Sequence, residues 1–547
     1  MFQVLNIQKK EYKLMFIISV IIIILTTAPY LYGYFNAPPG QQYLAIHLAP
    51  SDLFVYESYI AQVKDGNFLL ENLFNNGLPI EKNINIFWLV VGLFAKIFNL
   101  TPIIVFHLSR IFLIPVCLIS LYWLIAYFFQ DKIKRKTALI ITAFSSGLGA
   151  VFSVFLQFFE YYDDNIGYYN WPLDLWSAES HIFLTFYQSP HFIASFICLI
   201  LIFLFFLLSI ETNKIKFSFL AGVIALFFFN FHPFFLITFF TVVPVYLLAV
   251  LWQKQKGLFL DGLKHFLIIC FISLPSILYH FTKFLFDPIA QQKAEQNLCK
   301  TTSLFLTIIS YGIPLFLAIY AIYYLIKNKK VNNRNLFLIV WLAVNFIIIY
   351  LPFLKFQRRL VEGMQIPIAF LATVALFIIY NELKEKNKNL FFLKNKLMIF
   401  ALVFIIGSSN IYVIFDNAAL IYKQHPIFYI HNENIEAMDW MKKNIDLNKT
   451  TISHPMIGNF IPAKTNRNVY CGHWVETVNY QKKRARVVWI FKGNSQDDQK
   501  KEFLRNSRIE YIFYSDYEKS LGEFQPSEKD YLEMIYQNEK VEIYKIF

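Results

Sequence analysis

The sequence predicts a polytopic α-helical membrane protein of about eleven spans, followed by a small C-terminal α/β domain outside the membrane. Three observations predict it. Apolar residues make up 57% of the 547 residues, 61 of them Phe, and they fall in long runs rather than alternating or amphipathic patterns. Lys and Arg sit in short clusters between those runs, in alternate connections. Beyond about residue 424 the sequence becomes polar and its periodicity mixed. The net charge of +13 does not suggest nucleic acid, because it sums dispersed clusters rather than one basic face.

A spanning helix needs about 20 apolar residues. Suitable runs occur at 14–34, 103–129, 137–158, 188–210, 217–232, 234–252, 265–282, 304–326, 336–353, 366–381 and 397–415. Residues 86–98 are too few to cross and read as an interfacial or re-entrant helix. Lys9, Lys10 and Lys13 precede the first run, and no small-residue cleavage site follows it. That run therefore reads as a retained anchor. Further basic clusters lie at 132–136, 214–216, 254–264, 327–334 and 384–396, and the positive-inside rule places them with the N-terminus in the cytoplasm. Residues 1–423 then form a module in the plasma (inner) membrane, with large outer loops at 35–102 and 159–190, and 424–547 form the extracytoplasmic domain. Within that domain, helices are expected at 435–441 and 495–507, and strands at 450–453, 509–513 and 541–545. The five Cys show no CxxC and no metal-ligand spacing.

The candidate chemistry lies on the outer face. Asp52 follows Pro50 and Ser51 and precedes Leu53 and Phe54, at the membrane interface. A carboxylate there is partly desolvated, which raises its basicity and suits a general base. Glu57 is the nearest second carboxylate, and Tyr56 and Tyr59 share the helical face and can stack on a sugar. The second loop has no Lys or Arg from 159 to 187 and combines Asp174, Glu179, His181 and His191 with Trp171 and Trp176. Carboxylates hydrogen-bond sugar hydroxyls, and indole rings cover the apolar faces of sugars. Asp52 with Asp174 or Glu179 would also suit Mg²⁺ or Mn²⁺.

The connection at 353–366 breaks the charge rule. Lys355, Arg358 and Arg359, followed by Glu362, put three cations on the outer side, where a lipid-linked phosphate or pyrophosphate is the natural partner and plain phospholipid headgroups are the alternative. Arg110 opens a span from the same side and can join them, and Lys283, Lys293 and Lys300 are further outer cations. His232 reads as a structural hydrogen-bonding group. In the C-terminal domain, His473, Trp474 and Glu476 form a dense polar and aromatic patch that either packs the domain down or faces the substrate.

Together these features resemble the GT-C superfamily of multi-spanning glycosyltransferases. The resemblance rests on Asp52 in the first outer loop with Tyr59-Ile60-Ala61-Gln62, the acidic stretch from Asp174 to His191, Arg358-Arg359 with Glu362-Gly363, and Gly472-His473-Trp474 with Glu476-Thr477. It implies a sugar donor on a polyprenyl phosphate, an acceptor that is a glycan, lipid or protein, and Asp52 as catalytic base. Where many members carry an Asp-Glu or Glu-Asp pair, Leu53 follows Asp52 here, so a second carboxylate must come from Glu57 or the second loop. The Trp-Trp-Asp-Tyr-Gly motif of the oligosaccharyltransferase branch is absent, which argues against protein N-glycosylation. On this reading Asp174 and Glu179 position the acceptor or a metal, and the 355–359 cations stabilise the departing phosphate. The competing class is a transporter or flippase of lipid-linked glycans, which would show inverted repeats and mid-span charges.

Overall fold

The computed structural model describes residues 5–47, 50–76, 81–157, 162–163, 168–385, 406–493 and 496–547. Among them, eight helices are long and apolar enough to cross a membrane: Lys9–Phe35, Pro102–Phe128, Lys132–Leu156, Pro190–Thr212, Phe235–Trp252, Lys256–Phe286, Leu304–Lys327 and Gln357–Glu385. These correspond to eight of the expected spans. The runs at 217–232 and 336–353 form the shorter apolar helices Ile215–Phe231 and Asn333–Ile348. The run at 397–415 begins outside the described residues and continues into the helix Ser408–Tyr422. The short piece near residue 86 is the twelve-residue helix Ile86–Ile97, capped by Asn85, whose side chain accepts from the Trp88 amide. The protein is a multi-pass membrane protein.

The chain divides into two compact units. The first comprises Met1–Pro29, Ser109–Phe281 and Leu298–Asn417. Its most buried candidate span is Pro190–Thr212, whose Phe203 ring meets Trp341 edge-on at 4.6 Å. Pro190 starts that helix at a position where its missing N–H costs nothing. The second unit comprises Tyr30–Leu108, Thr282–Asn297 and Ala418–Phe547. It therefore takes in the first loop as well as the C-terminal segment, a wider grouping than the boundary at residue 424 implies.

Within the second unit, strand Gln41–Tyr43 pairs antiparallel with Tyr429–His431. The helix Pro50–Lys64 packs against Ile86–Ile97 on one side and Pro455–Thr465 on another. Phe54 and Phe460 meet there with ring centroids 4.2 Å apart, a pairing that adds about 0.5–1.5 kcal/mol beyond its buried area. The C-terminal segment builds a five-stranded sheet in the order Leu532–Gln537, Glu542–Ile546, Tyr511–Tyr514, Thr450–Ile452, Asn468–Val469. Its first three strands are antiparallel and its last two join in parallel. The expected strands and helices are present as Thr450–Ile452, Tyr511–Tyr514, Glu542–Ile546, Asn432–Asn444 and Asp497–Asn506. The helices Pro455–Thr465 and Tyr480–Phe491 were not anticipated by periodicity.

Candidate active site

In the second unit, Asp52 lies in the first turn of the helix Pro50–Lys64, with 30% of its side chain exposed. His473 Nε2 lies 2.9 Å from Asp52 Oδ1. The other imidazole nitrogen, Nδ1, accepts from the backbone amides of Val475 and Glu476, both at 3.2 Å. Two amide donors at Nδ1 place the ring proton on Nε2, so His473 donates to the Asp52 carboxylate. His473 itself is 3% exposed and edged by Phe74 at 6.2 Å. It orients the carboxylate and is not aimed outward as a base.

Glycine makes this placement sterically feasible. A Cβ on Gly472 would sit 2.4 Å from the Gly458 carbonyl oxygen, and one on Gly458 would sit 2.0 Å from the Cys471 carbonyl oxygen. The segment preceding His473 therefore lies directly on the helix Pro455–Thr465, where any side chain would push it away. From the far side, Gln296 Nε2 donates to the carbonyls of Trp474, Val475 and Thr477. Trp474 leaves 37% of its surface exposed beside His473, with ring centroids 6.2 Å apart.

Two carboxylates expected to face substrate are engaged elsewhere. Glu57 is 2% exposed and pairs with Lys464 at 3.4 Å. Glu476 forms an ion pair with Lys293, which also binds Glu81 at 2.9 Å, and Lys283 binds Glu81 at 3.0 Å. Burial alone would raise the Glu81 pKa, but the charges of Lys293 and Lys283 hold it down at about 2. Glu81 is thus the hub of a buried charge network that sequence reading did not single out; the only sequence signal was two lysines ten residues apart in one polar connection. Tyr56 stacks on Trp88, with centroids 4.7 Å apart and planes 19° apart, so the expected sugar-facing ring packs within its own unit.

In the first unit, Asp174 is fully buried. Its Oδ2 accepts from the amides of Gly147 and Gly149, both at 3.0 Å, and from Ser409 Oγ at 2.6 Å. Burial pushes its pKa up to about 7 against the lowering effect of those donors. A Cβ on Gly149 would lie 2.5 Å from its Oδ1, so the chain closes over the carboxylate. That geometry ties the Gly147–Gly149 segment and Ser409 to the second loop.

Glu179 is 3% exposed and bonds Arg359 at 2.5 Å, with Ser177 Oγ donating at 3.0 Å. Burial works to raise its pKa, but Arg359 and then Arg358 hold it down at about 2. Arg359 lies over Phe192 and Phe234 at 6.0 and 5.9 Å. Arg358 lies over the Trp176 ring at 4.6 Å, and its backbone amide donates to the Cys299 carbonyl at 2.9 Å. Among the described residues Arg358 makes no ion pair with a carboxylate, and Lys355 is exposed and makes none either. The three cations thus differ: Arg359 pairs with Glu179, Arg358 lies over Trp176 and acts on Glu179 through its charge, and Lys355 is exposed.

Arg110 does not join them. It is fully buried, and its guanidinium donates to Thr26 Oγ1, Thr27 Oγ1 and the Phe186 carbonyl at 2.9–3.0 Å. His181 is also internal. Its Nδ1 meets Ser180 Oγ at 2.9 Å, its ring stacks on Tyr311, and burial lowers its pKa to about 3. His191 is buried with its Nδ1 2.7 Å from Ser189 Oγ. Glu362 accepts from Ser195 and lies 2.5 Å from His232 Nε2, so both are engaged within the first unit. Asp174 and Glu179 are bonded as described, and among the described residues no group of three His, Cys, Asp or Glu is placed to hold a metal ion.

No protein-family model matches the sequence, and no curated protein matches it. Solved structures do. The oligosaccharyltransferase of Archaeoglobus fulgidus, tethered to an acceptor peptide containing an NVT sequon, superposes with a TM-score of 0.51 at 12% identity, over 92% of this chain and 69% of that one. The same archaeal enzyme, AglB, with an inhibitory peptide and a dolichol-phosphate, gives 0.50 at 12% identity, over 93% and 70%. ArnT from Cupriavidus metallidurans, bound to undecaprenyl phosphate, gives 0.51 at 10% identity, over 96% and 97%. A multi-pass helical module with a small sheet-bearing domain is thus the class that the fold defines. The fold is similar to those of the archaeal oligosaccharyltransferase and of ArnT.

Proposed function

We propose that the protein transfers a sugar from a polyprenyl-phosphate-linked donor to a hydroxyl of a glycan, lipid or protein acceptor, at the extracytoplasmic face. The observation that carries this reading is the Asp52 carboxylate, partly exposed at a helix N-terminus and held by a histidine whose other nitrogen is already bonded. In the reaction the acceptor hydroxyl gives its proton to Asp52 and its oxygen bonds the anomeric carbon. The bond from that carbon to the phosphate oxygen breaks, and polyprenyl phosphate leaves with inversion. Lys355 and Arg358, in the first unit, are cations whose chemistry suits a growing phosphate charge. Glu57, Asp174, Glu179 and Glu476 support the scaffold, and Trp474 offers an exposed indole for a sugar face. The carrier lipids in the AglB and ArnT structures support a donor of the same kind.

The test is sugar transfer from a radiolabelled polyprenyl-phosphate donor by purified protein, with Asp52→Asn and Arg358→Gln in parallel. Transfer by the wild type, lost in Asp52→Asn, is expected. Absence of transfer across a panel of donors and acceptors, combined with protein-dependent movement of the lipid-linked sugar between leaflets, would replace the transferase with a flippase.

A further inference from the structure

The position of the ring proton on His473 depends on two peptide groups, and both are held from behind by one side chain. A trans peptide is planar, so its N–H and its C=O point in opposite directions. The peptide joining Trp474 to Val475 donates its N–H to His473 Nδ1 at 3.2 Å, and its carbonyl accepts from Gln296 Nε2 at 2.9 Å. The next peptide, from Val475 to Glu476, repeats the pattern at 3.2 and 3.0 Å. Gln296 Nε2 also reaches the Thr477 carbonyl at 2.7 Å. Its Oε1 accepts from the Asn479 amide at 3.2 Å, which settles which end of the side chain is the nitrogen. A carbonyl that accepts a hydrogen bond polarises its own peptide and makes the N–H a stronger donor. Gln296 therefore acts on the imidazole lone pair through two peptides at once.

The helix that carries it, Pro288–Gln296, belongs to the second unit and is fixed along its length. Asp287 caps it by accepting from the amides of Ile289 and Ala290, and Pro288 takes the first helical position. One turn before Gln296, Lys293 binds Glu81 and the side chain of Glu476. The Glu476 carbonyl, the one in this turn that Gln296 does not reach, accepts from Asn72 Nδ2 at 3.0 Å.

We propose that Gln296 is a positioning residue: by holding the two peptides that donate to Nδ1, it keeps the His473 proton on Nε2, aimed at Asp52. Its part in turnover rests on the transferase reading with Asp52 as base; the chain from Gln296 through the peptides to His473 does not. Without Gln296 the two peptides are free to turn and Nδ1 can take the proton. Nε2 then presents a lone pair to the carboxylate, which repels it.

The experiment is heteronuclear NMR of the full-length protein in nanodiscs, with ring-labelled histidine and the His473 signals assigned by their absence in His473→Gln, run beside transfer kinetics. In the wild type Nδ1 should be unprotonated and Nε2 protonated. Gln296→Leu, similar in size but without a donor, should populate the Nδ1–H tautomer of His473 and leave the other histidine signals in place. Its kcat should fall about tenfold and its KM stay within about twofold of the wild type. Gln296→Lys, which can donate to the same carbonyls, should restore the tautomer and most of the rate. In an Asp52→Asn background Gln296→Leu should cost nothing further, because its effect runs through that carboxylate. An unchanged tautomer in Gln296→Leu, a loss confined to KM, or an equal loss with Asp52 already replaced would each overturn the role of Gln296. The expected change of tautomer in a protein that transfers no sugar would sink the transferase reading alone. Wild-type transfer by Gln296→Leu with the wild-type tautomer would sink the positioning role alone.

Discussion

Asp52 and Asp174 are both aspartates in aromatic-rich stretches of the two large loops, and on sequence grounds both are candidates for chemistry. Their surroundings separate them. Asp52 keeps 30% of its side chain exposed, with His473 donating to one oxygen. Asp174 is fully buried, and three donors converge on one of its oxygens, two of them backbone amides of a small-residue turn. A base must be reached by a substrate proton, and of these two carboxylates Asp52 is the one with exposed surface. The difference shows that acidic residues in a loop become reactive groups or structural staples according to what donates to them.

The comparison is tested most severely by exchanging function for stability. Asp52→Asn should lower the transfer rate about 10²–10⁴-fold, the usual contribution of a general base, while leaving the detergent melting temperature within a degree of the wild type. Asp174→Ala should do the reverse: about 2–4 kcal/mol of stability lost as three donors are orphaned, with the surviving folded fraction turning over normally. Asp174→Asn retains an acceptor oxygen for those donors and should cost far less than the alanine. A slow but stable Asp174→Ala protein would mean that Asp174 takes part in the reaction after all.

His473 is expected to have a smaller effect, and it tests whether positioning matters. A charge-assisted hydrogen bond contributes about 1.5–3 kcal/mol. His473→Ala should therefore reduce kcat about tenfold to a hundredfold, with little change in KM. His473→Gln, whose amide can donate in place of Nε2, should recover part of that loss. Its pH–rate profile should match the wild type's in shape, since the proposed base is still Asp52. A shifted pH profile in His473→Gln would mean that the imidazole itself exchanges protons during turnover.

The architecture was largely legible in the sequence because membrane spans announce themselves by length and hydropathy, independently of their neighbours. Eight of the expected runs are helices long and apolar enough to cross, and the short run near residue 86 is a short helix. The candidate site was only partly legible. Asp52 and the 355–359 cations stand in unusual local company and so could be singled out as candidates. Glu57 and Glu476 looked equally eligible, but each meets a lysine far away in the chain, Lys464 and Lys293 respectively. Arg110 looked like a phosphate ligand, yet two threonines and a carbonyl satisfy it inside the helical unit. Such pairings depend on tertiary packing across tens to hundreds of residues, and no local pattern encodes them. The glycines at 458 and 472 show the same limit, since only the folded chain reveals that two backbones meet there.

The smallest predicted effect is also the one that sets the two kinds of carboxylate against each other by sign. Burial raises the Asp174 pKa from 3.8 to about 7, so this group favours the folded state most below pH 3.8 and loses that contribution as the pH rises towards 7. Glu179 has the opposite sign. With its pKa held from 4.5 down to about 2 by Arg359 and Arg358 against the effect of burial, its contribution is present above pH 4.5 and is lost as the pH falls towards 2. Between about pH 4.5 and 7 only Asp174 of this pair changes charge balance. Melting temperatures of Asp174→Asn and the wild type, recorded every half unit across that window, should differ by an amount that shifts steadily with pH, by a few degrees at most. The corresponding difference for Glu179→Gln should be flat in that window and move only below it. A flat difference for Asp174→Asn would mean that the carboxylate stays ionised in its cage of amides and Ser409, with the three donors outweighing burial.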